Sequence, residues 1–190
     1  MVWMTETQAV ATAQTDAALI QGTRRGDAEA FGELARRFQG RVHSMCLRMS
    51  GDPAVAEALT EQVFLDAYRD AALLEAPLQS WLLVRTIEAC QSPPDTATPV
   101  HDEEPDTETE EEVQAHQLQA LLNNLTPSFR SAVILRDVLE LEYDQIADIM
   151  NLPIGTVRSR IHRARIDMAS ALPSPPAKKK AQKKRQEKKS

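Results

Sequence analysis

The sequence predicts an all-α protein of two small helical domains joined by a flexible acidic linker. Three observations predict it. Glycine is scarce at 6 of 190 residues and aromatics make up 4%, which disfavours sandwiches and barrels built on many tight turns. Apolar residues recur at three- and four-residue spacing in two separated blocks. Between the blocks, SPPDTATPVHDEEPDTETEEE, Ser92 to Glu112, is Pro-, Thr- and acid-rich with almost nothing to bury. The expected division is a polar arm over 1–15, a first helical domain over 16–91, the linker over 92–112, a second helical domain over 113–172 and a Pro- and Lys-rich tail over 173–190.

In the first block Asp16 is placed to cap a short helix ending at Gly26, and Asp27 to cap the next. Phe31, Leu34, Ala35, Phe38, Val42, Met45, Cys46 and Met49 form one stripe along that second helix. Gly51 stops it, Asp52 caps a third helix and Pro53 suits its first position. The third helix carries Leu59, Val63, Phe64, Ala67, Tyr68 and Ala71, and Ser80 is placed to start a fourth through Trp81 and Ile87. The second block opens with a helix over Val113 to Leu122. Thr126 is then expected to cap a helix that Pro127 opens, with Phe129, Ala132, Val133, Val138 and Leu139 on its buried side.

EYDQIADIMNLPIGTVRSRIHRAR then reads as a short helix, a tight turn and a second helix. Asn151 tolerates the left-handed conformation that ends a helix, and Pro153 suits the start of the next. A 100° step per residue puts Val157, Ile161, Ala164 and Met168 on one stripe. Ser159, His162 and Arg163 point away from it, Arg158 borders them, and Arg160 and Arg165 flank the stripe. A helix so arranged fits the DNA major groove, where guanidinium forks pair with guanine or phosphate, and its N-terminus near Gly155 and Thr156 favours a phosphate. Asp167 is the sole acid on this helix, so pairing within it does not absorb the charge. The formal net charge of −6 does not oppose DNA binding, because the charge is segregated along the chain.

Other chemistry is not indicated. Cys46 and Cys90 form no CxxC, and His43 with Cys46 lacks further ligands, so packing is expected and neither a metal nor another cofactor. No P-loop or Ser/His/Asp order is present, so no enzyme is expected. No run approaches the roughly 20 apolar residues of a membrane span, and the N-terminus lacks signal-peptide features, so a cytoplasmic location is expected.

Leu125 to Arg165, with its GTVRSRIHRAR motif, closely resembles region 4 of bacterial extracytoplasmic-function (ECF) sigma factors, the domain that recognises the minus-35 promoter element. GDAEAFGELARRFQGRVHSMCLRMSGDPAVAEALTEQVFLDAY resembles region 2, which binds the core RNA polymerase clamp, in the beta-prime subunit, and opens the minus-10 element. The resemblance implies DNA contacts by Arg136, Pro153, Thr156, Arg158, Ser159, Arg160, His162 and Arg163, and polymerase contacts by Glu57, Leu59, Glu61, Gln62, Phe64 and Leu65. It also implies a promoter-DNA partner and an anti-sigma partner. The first block departs from the family pattern: Ala58 stands where relatives carry an acid, Glu61-Gln62 reverses the usual order, and DAALLEAPLQS lacks the usual aromatic and basic residues. Tyr68, Trp81 and Arg85 are what remains for promoter melting. Two alternatives stay open, a DNA-binding repressor or adaptor without strand opening and a module for anti-sigma docking. The eight cations of the tail are expected to add non-specific phosphate attraction, and the acidic linker to repel DNA or pair with basic surfaces.

Overall fold

The computed structural model describes residues 16–92 and 109–172, and among these every regular element is a helix. The expectations for the N-terminal arm, for most of the linker and for the Lys-rich tail lie outside the described residues.

Helix α1 covers residues 16–24 and gives way at Gly26, whose φ of 84° is the left-handed conformation that glycine adopts without strain. The Asp27 carboxylate then accepts from the backbone N–H groups of Glu29 and Ala30 at 3.0 and 3.2 Å and starts α2, Ala28–Ser50. Such a cap is worth about 1 kcal/mol. Gly51, at φ 78°, ends α2, and its N–H donates to the Leu47 carbonyl at 2.8 Å. Asp52 accepts from the Val55 N–H at 3.0 Å and starts α3, Pro53–Arg69. A 3₁₀ turn, Ala71–Leu73, leads to α4, Leu78–Gln91, which begins two residues before the expected Ser80 start, directly after Pro77.

These helices enclose a core of Leu34, Val42, Cys46, Leu59, Val63, Leu74, Leu78 and Leu82, in which Ala56 and Ala67 are also fully buried. Tyr68, among the apolar and aromatic residues of α3, is 47% exposed.

The second half comprises α5, Glu110–Asn123; α6, Pro127–Val133, continued by a π turn over Ile134–Val138; α7, Tyr143–Met150; and α8, Ile154–Ala171. Helix α5 starts three residues before the expected Val113, since carboxylates such as Glu110 suit the positive end of a helix dipole. Thr126 occupies the N-cap position of α6, but its side chain makes no capping hydrogen bond. In the π turn Leu139 N–H donates to Ile134 O at 3.0 Å, and this widened turn presents Arg136 and Asp137 beside α8. Asn151, at φ 50° and ψ 52°, ends α7 in the left-handed conformation, and Leu152 N–H reaches back to Ala147 O at 2.9 Å.

A second core cluster joins Leu122, Ile134, Leu135, Ile146, Ile149, Val157, Ile161 and Ala164. It also contains Met45, Met49 and Leu83, so α2 and α4 of the first half help to build it. Arg130 reinforces the junction. Its guanidinium donates to the carbonyls of Leu122 at 2.8 Å, Met49 at 2.5 Å, Asn123 at 2.9 Å and Leu125 at 3.2 Å. Burial pulls its pKa below the usual arginine value. Beside it the Gln119 amide donates to the Arg48 carbonyl at 3.2 Å.

Candidate nucleic-acid interface

Helix α8 is divided lengthwise. Val157, Ile161 and Ala164 are buried and Met168 is half-buried, while Arg158, Ser159, His162, Arg163 and Arg165 are exposed and Arg160 lies between. The first-turn N–H groups face out from its start, where Pro153 and Gly155 are exposed and Thr156 is half-buried. A Cβ added at Gly155 would meet nothing within 4 Å, so a phosphate backbone has room to approach there.

The arginines differ in their partners. Arg163 pairs with Asp167 at 3.2 Å. Arg165 makes a two-pronged contact with Asp137, which holds its pKa above the usual value through that hydrogen bond. Arg160 donates to the Ser128 hydroxyl. Arg136 is half-buried, donates to Leu141 O at 2.6 Å, and lies 3.1 Å from a Glu142 carboxylate oxygen. Arg158 has neither an ion pair nor a side-chain hydrogen bond among the described residues, and its guanidinium carbon lies 5.4 Å from the centre of the Tyr143 ring. Pairing within α8 therefore absorbs only one of its arginines, and a second is taken from outside the helix. Asp167 takes Arg163, and Asp137, from the π turn, takes Arg165. Exposed ion pairs contribute only about 0–1 kcal/mol, so these partners are readily exchanged for phosphate. The Ser159 hydroxyl donates back to Thr156 O at 2.9 Å. Asp137, Ser128 and Tyr143 were not identified from sequence, where no local pattern marks them.

The residues expected at polymerase separate into two groups. Leu59 is 1% exposed and belongs to the core, because it sits on the α3 face turned to α2 and α4. Glu57, Glu61 and Leu65 are exposed, Phe64 is half-buried, and Gln62 is half-buried with its amide donating to Asp66 at 2.8 Å. Phe64, Leu65, Tyr68 and Glu61 line an open, mostly apolar recess of about 370 Å³ with Ala28 and Phe31 from α2. The Phe31 and Tyr68 rings lie 5.0 Å apart, tilted by 57°. Ala28 and Phe31, the latter expected in the apolar stripe of α2, enter the recess from a different helix, so no pattern within α3 marks them as part of it.

Of the melting candidates, Trp81 and Arg85 come together and Tyr68 lies apart in the apolar recess. The Arg85 guanidinium sits 5.3 Å from the Trp81 ring centre and pairs with Glu88 at 3.0 Å. Their recess, about 350 Å³, is also lined by Asp66 and Asp70. Its carboxylates oppose a nucleic-acid strand rather than attract one.

Among the described residues no group of three or more His, Cys, Asp or Glu side chains converges on a metal position. His43 Nδ1 lies 3.4 Å from the Thr60 hydroxyl. The Cys90 thiol donates to Cys46, which holds Cys46 below the usual thiol range and, with burial, pushes Cys90 above it.

A cationic helix set on a buried apolar seam after a left-handed Asn turn defines a helix-turn-helix protein of the DNA-reading class. Residues 115–168 match the family Sigma-70, region 4. The ECF RNA polymerase sigma-E factor of Haemophilus influenzae is 30% identical over 174 residues, covering 80% of this chain and 92% of that protein. The ECF RNA polymerase sigma factor SigE of Mycolicibacterium smegmatis is 32% identical over 152 residues, 72% of this chain, and the match spans 59% of that relative's length. The chain belongs to the ECF RNA polymerase sigma factors. The same fold appears in CnrH in complex with the cytosolic domain of CnrY, at TM-score 0.66 and 18% identity, covering 82% of this chain and 96% of that one. It appears also in the sigma factor RpoE with the anti-sigma factor NepR from Bartonella quintana, at TM-score 0.57 and 18% identity, covering 75% and 96%. Among the described residues no helix is long and apolar enough to cross a membrane.

Proposed function

We propose that this protein joins core RNA polymerase and directs transcription initiation at a restricted set of promoters, with RNA synthesis left to the polymerase. The observation that carries the reading is the division of α8, whose apolar side is packed away while Arg158, Ser159, His162 and Arg163 face solvent. Arg158, His162 and Arg163 are assigned to base or phosphate contacts at the minus-35 element, with Ser159 and Arg160 beside them. Pro153, Thr156 and Arg136 are assigned to the DNA backbone. Polymerase docking, on the clamp of the beta-prime subunit, is assigned to Glu57, Glu61, Gln62, Phe64 and Leu65 around the apolar recess, with Phe31 and Tyr68 added and Leu59 left out. This keeps the two-domain division, the first domain for polymerase and the second for upstream DNA, in a cytoplasmic protein held by an anti-sigma partner. Solved structures of the same fold with CnrY and with NepR support the last point.

One observation favours a second reading, a DNA-binding adaptor that does not open strands. The recess holding Trp81 and Arg85 is lined by Asp66, Asp70 and Glu88, an acidic setting for a melted strand. Core polymerase, this protein and a pool of genomic fragments, with transcripts mapped, separates the two. Initiation at defined sites supports the sigma-factor reading, and DNA binding without polymerase association supports the adaptor.

A further inference from the structure

Tyr143 opens α7 and is half-buried at the meeting of three elements. The Arg136 guanidinium, from the π turn, lies 4.9 Å from its ring centre, and the Arg158 guanidinium, from α8, lies 5.4 Å from it. One aromatic side chain thus gathers cations from two other parts of the second half.

The two stacked arginines are held differently. Arg136 has its N–H edge engaged by Leu141 O and Glu142. The Arg158 guanidinium carbon lies over the ring, 5.4 Å from its centre, and among the described residues no hydrogen bond or ion pair engages its N–H groups. Those groups are the donors that form the two-pronged contact with guanine or phosphate. An exposed arginine on a flexible stem loses much rotamer freedom when it binds, and a stacked one has lost part of it beforehand. Stacking is therefore the one interaction here that orients the guanidinium without consuming its donors.

We propose that Tyr143 is a positioning residue for sequence recognition, stacking Arg158 so that its N–H edge stays presented to the DNA. This rests on the DNA-reading role of α8. Sequence preference depends on the stack, whereas the number of charges meeting phosphate does not.

The test uses the full chain assembled with core RNA polymerase. A pool of randomised duplexes is selected with the wild type, and the selected duplex is then compared with a scrambled one. Tyr143→Phe keeps the ring and is expected to hold the preference within about two-fold of wild type, while Tyr143→Leu is expected to lower it about five-fold, the range of an exposed cation–π contact. Arg158→Lys, which keeps the charge and leaves the core untouched, is expected to lower it similarly. Tyr143→Leu added to Arg158→Ala is expected to do nothing more, and the salt dependence of Tyr143→Leu is expected to match wild type because no charge is lost. The inference is overturned if Leu and Lys variants keep the wild-type preference, if Phe loses as much as Leu, or if the Leu and Ala effects multiply. A wild type that selects no sequence at all overturns the DNA-reading role itself, whereas selection unaffected by these variants overturns the positioning role alone.

Discussion

Replacing Arg130 by alanine tests how the two halves are held together. The guanidinium satisfies four carbonyls at once, those of Leu122 and Asn123 at the end of α5, that of Leu125 just beyond it, and that of Met49 on α2. Asn123 is exposed, so its carbonyl regains water when the arginine is removed. Leu122 O keeps the Leu125 N–H at 3.0 Å, whereas the carbonyls of Met49 and Leu125, residues 7% and 5% exposed, lose their donor in a setting that admits little water. At about 1 kcal/mol for each such acceptor, the low end for an unsatisfied buried group, Arg130→Ala is expected to lower stability by about 2 kcal/mol. Arg130→Lys, with a point charge in place of the planar fork, is expected to recover less than half of that. Urea denaturation measures it as a lower midpoint at unchanged slope. A loss below about 0.5 kcal/mol, ordinary for a surface substitution, would refute the reasoning and reduce the Arg130 contacts to solvent-exchangeable decoration.

Leu59→Ala is expected to cost about 2–5 kcal/mol of stability by opening a cavity in the first core, whereas Leu65→Ala, at a 44% exposed position, is expected to leave the thermal midpoint nearly unchanged and to weaken association with core polymerase in a pull-down titration. Arg163→Ala is expected to lower discrimination between a selected duplex and a scrambled one by about 1–3 kcal/mol, read as a binding ratio. Hydrogen bonding to Arg37 holds the Glu33 carboxyl below its ordinary 4.5. Because the folded pKa is the lower one, the stabilisation is complete above 4.5 and is lost as pH falls through the folded value. Glu33→Gln is therefore expected to flatten the fall of the thermal midpoint on acidification below 4.5, and identical pH profiles for the two proteins would contradict it.

Features that arise within a few residues of one another were legible in the amino-acid order. Asp27 and Asp52 cap the helices they precede, Gly51 and Asn151 end helices in the left-handed conformation, and Val157, Ile161 and Ala164 share one buried face. Each follows from backbone sterics or from the 3.6-residue turn, so the helix-turn-helix and the outward set on α8 were legible without a partner helix in view. The family likeness of the C-terminal half was legible for the same reason, since its motif is contiguous. Contacts between elements came from the packing of the folded chain. Asp137 reaches Arg165 across 28 residues of sequence, and Arg130 reaches Met49 across 81. Tyr143 became an aromatic platform, Leu59 a core residue and Tyr68 a surface one by the same packing of helix on helix. A one-dimensional period tells which face of a helix is apolar, but the direction from which a neighbour covers that face is set by where the chain returns in space. Side-chain partners at the seams follow from that return.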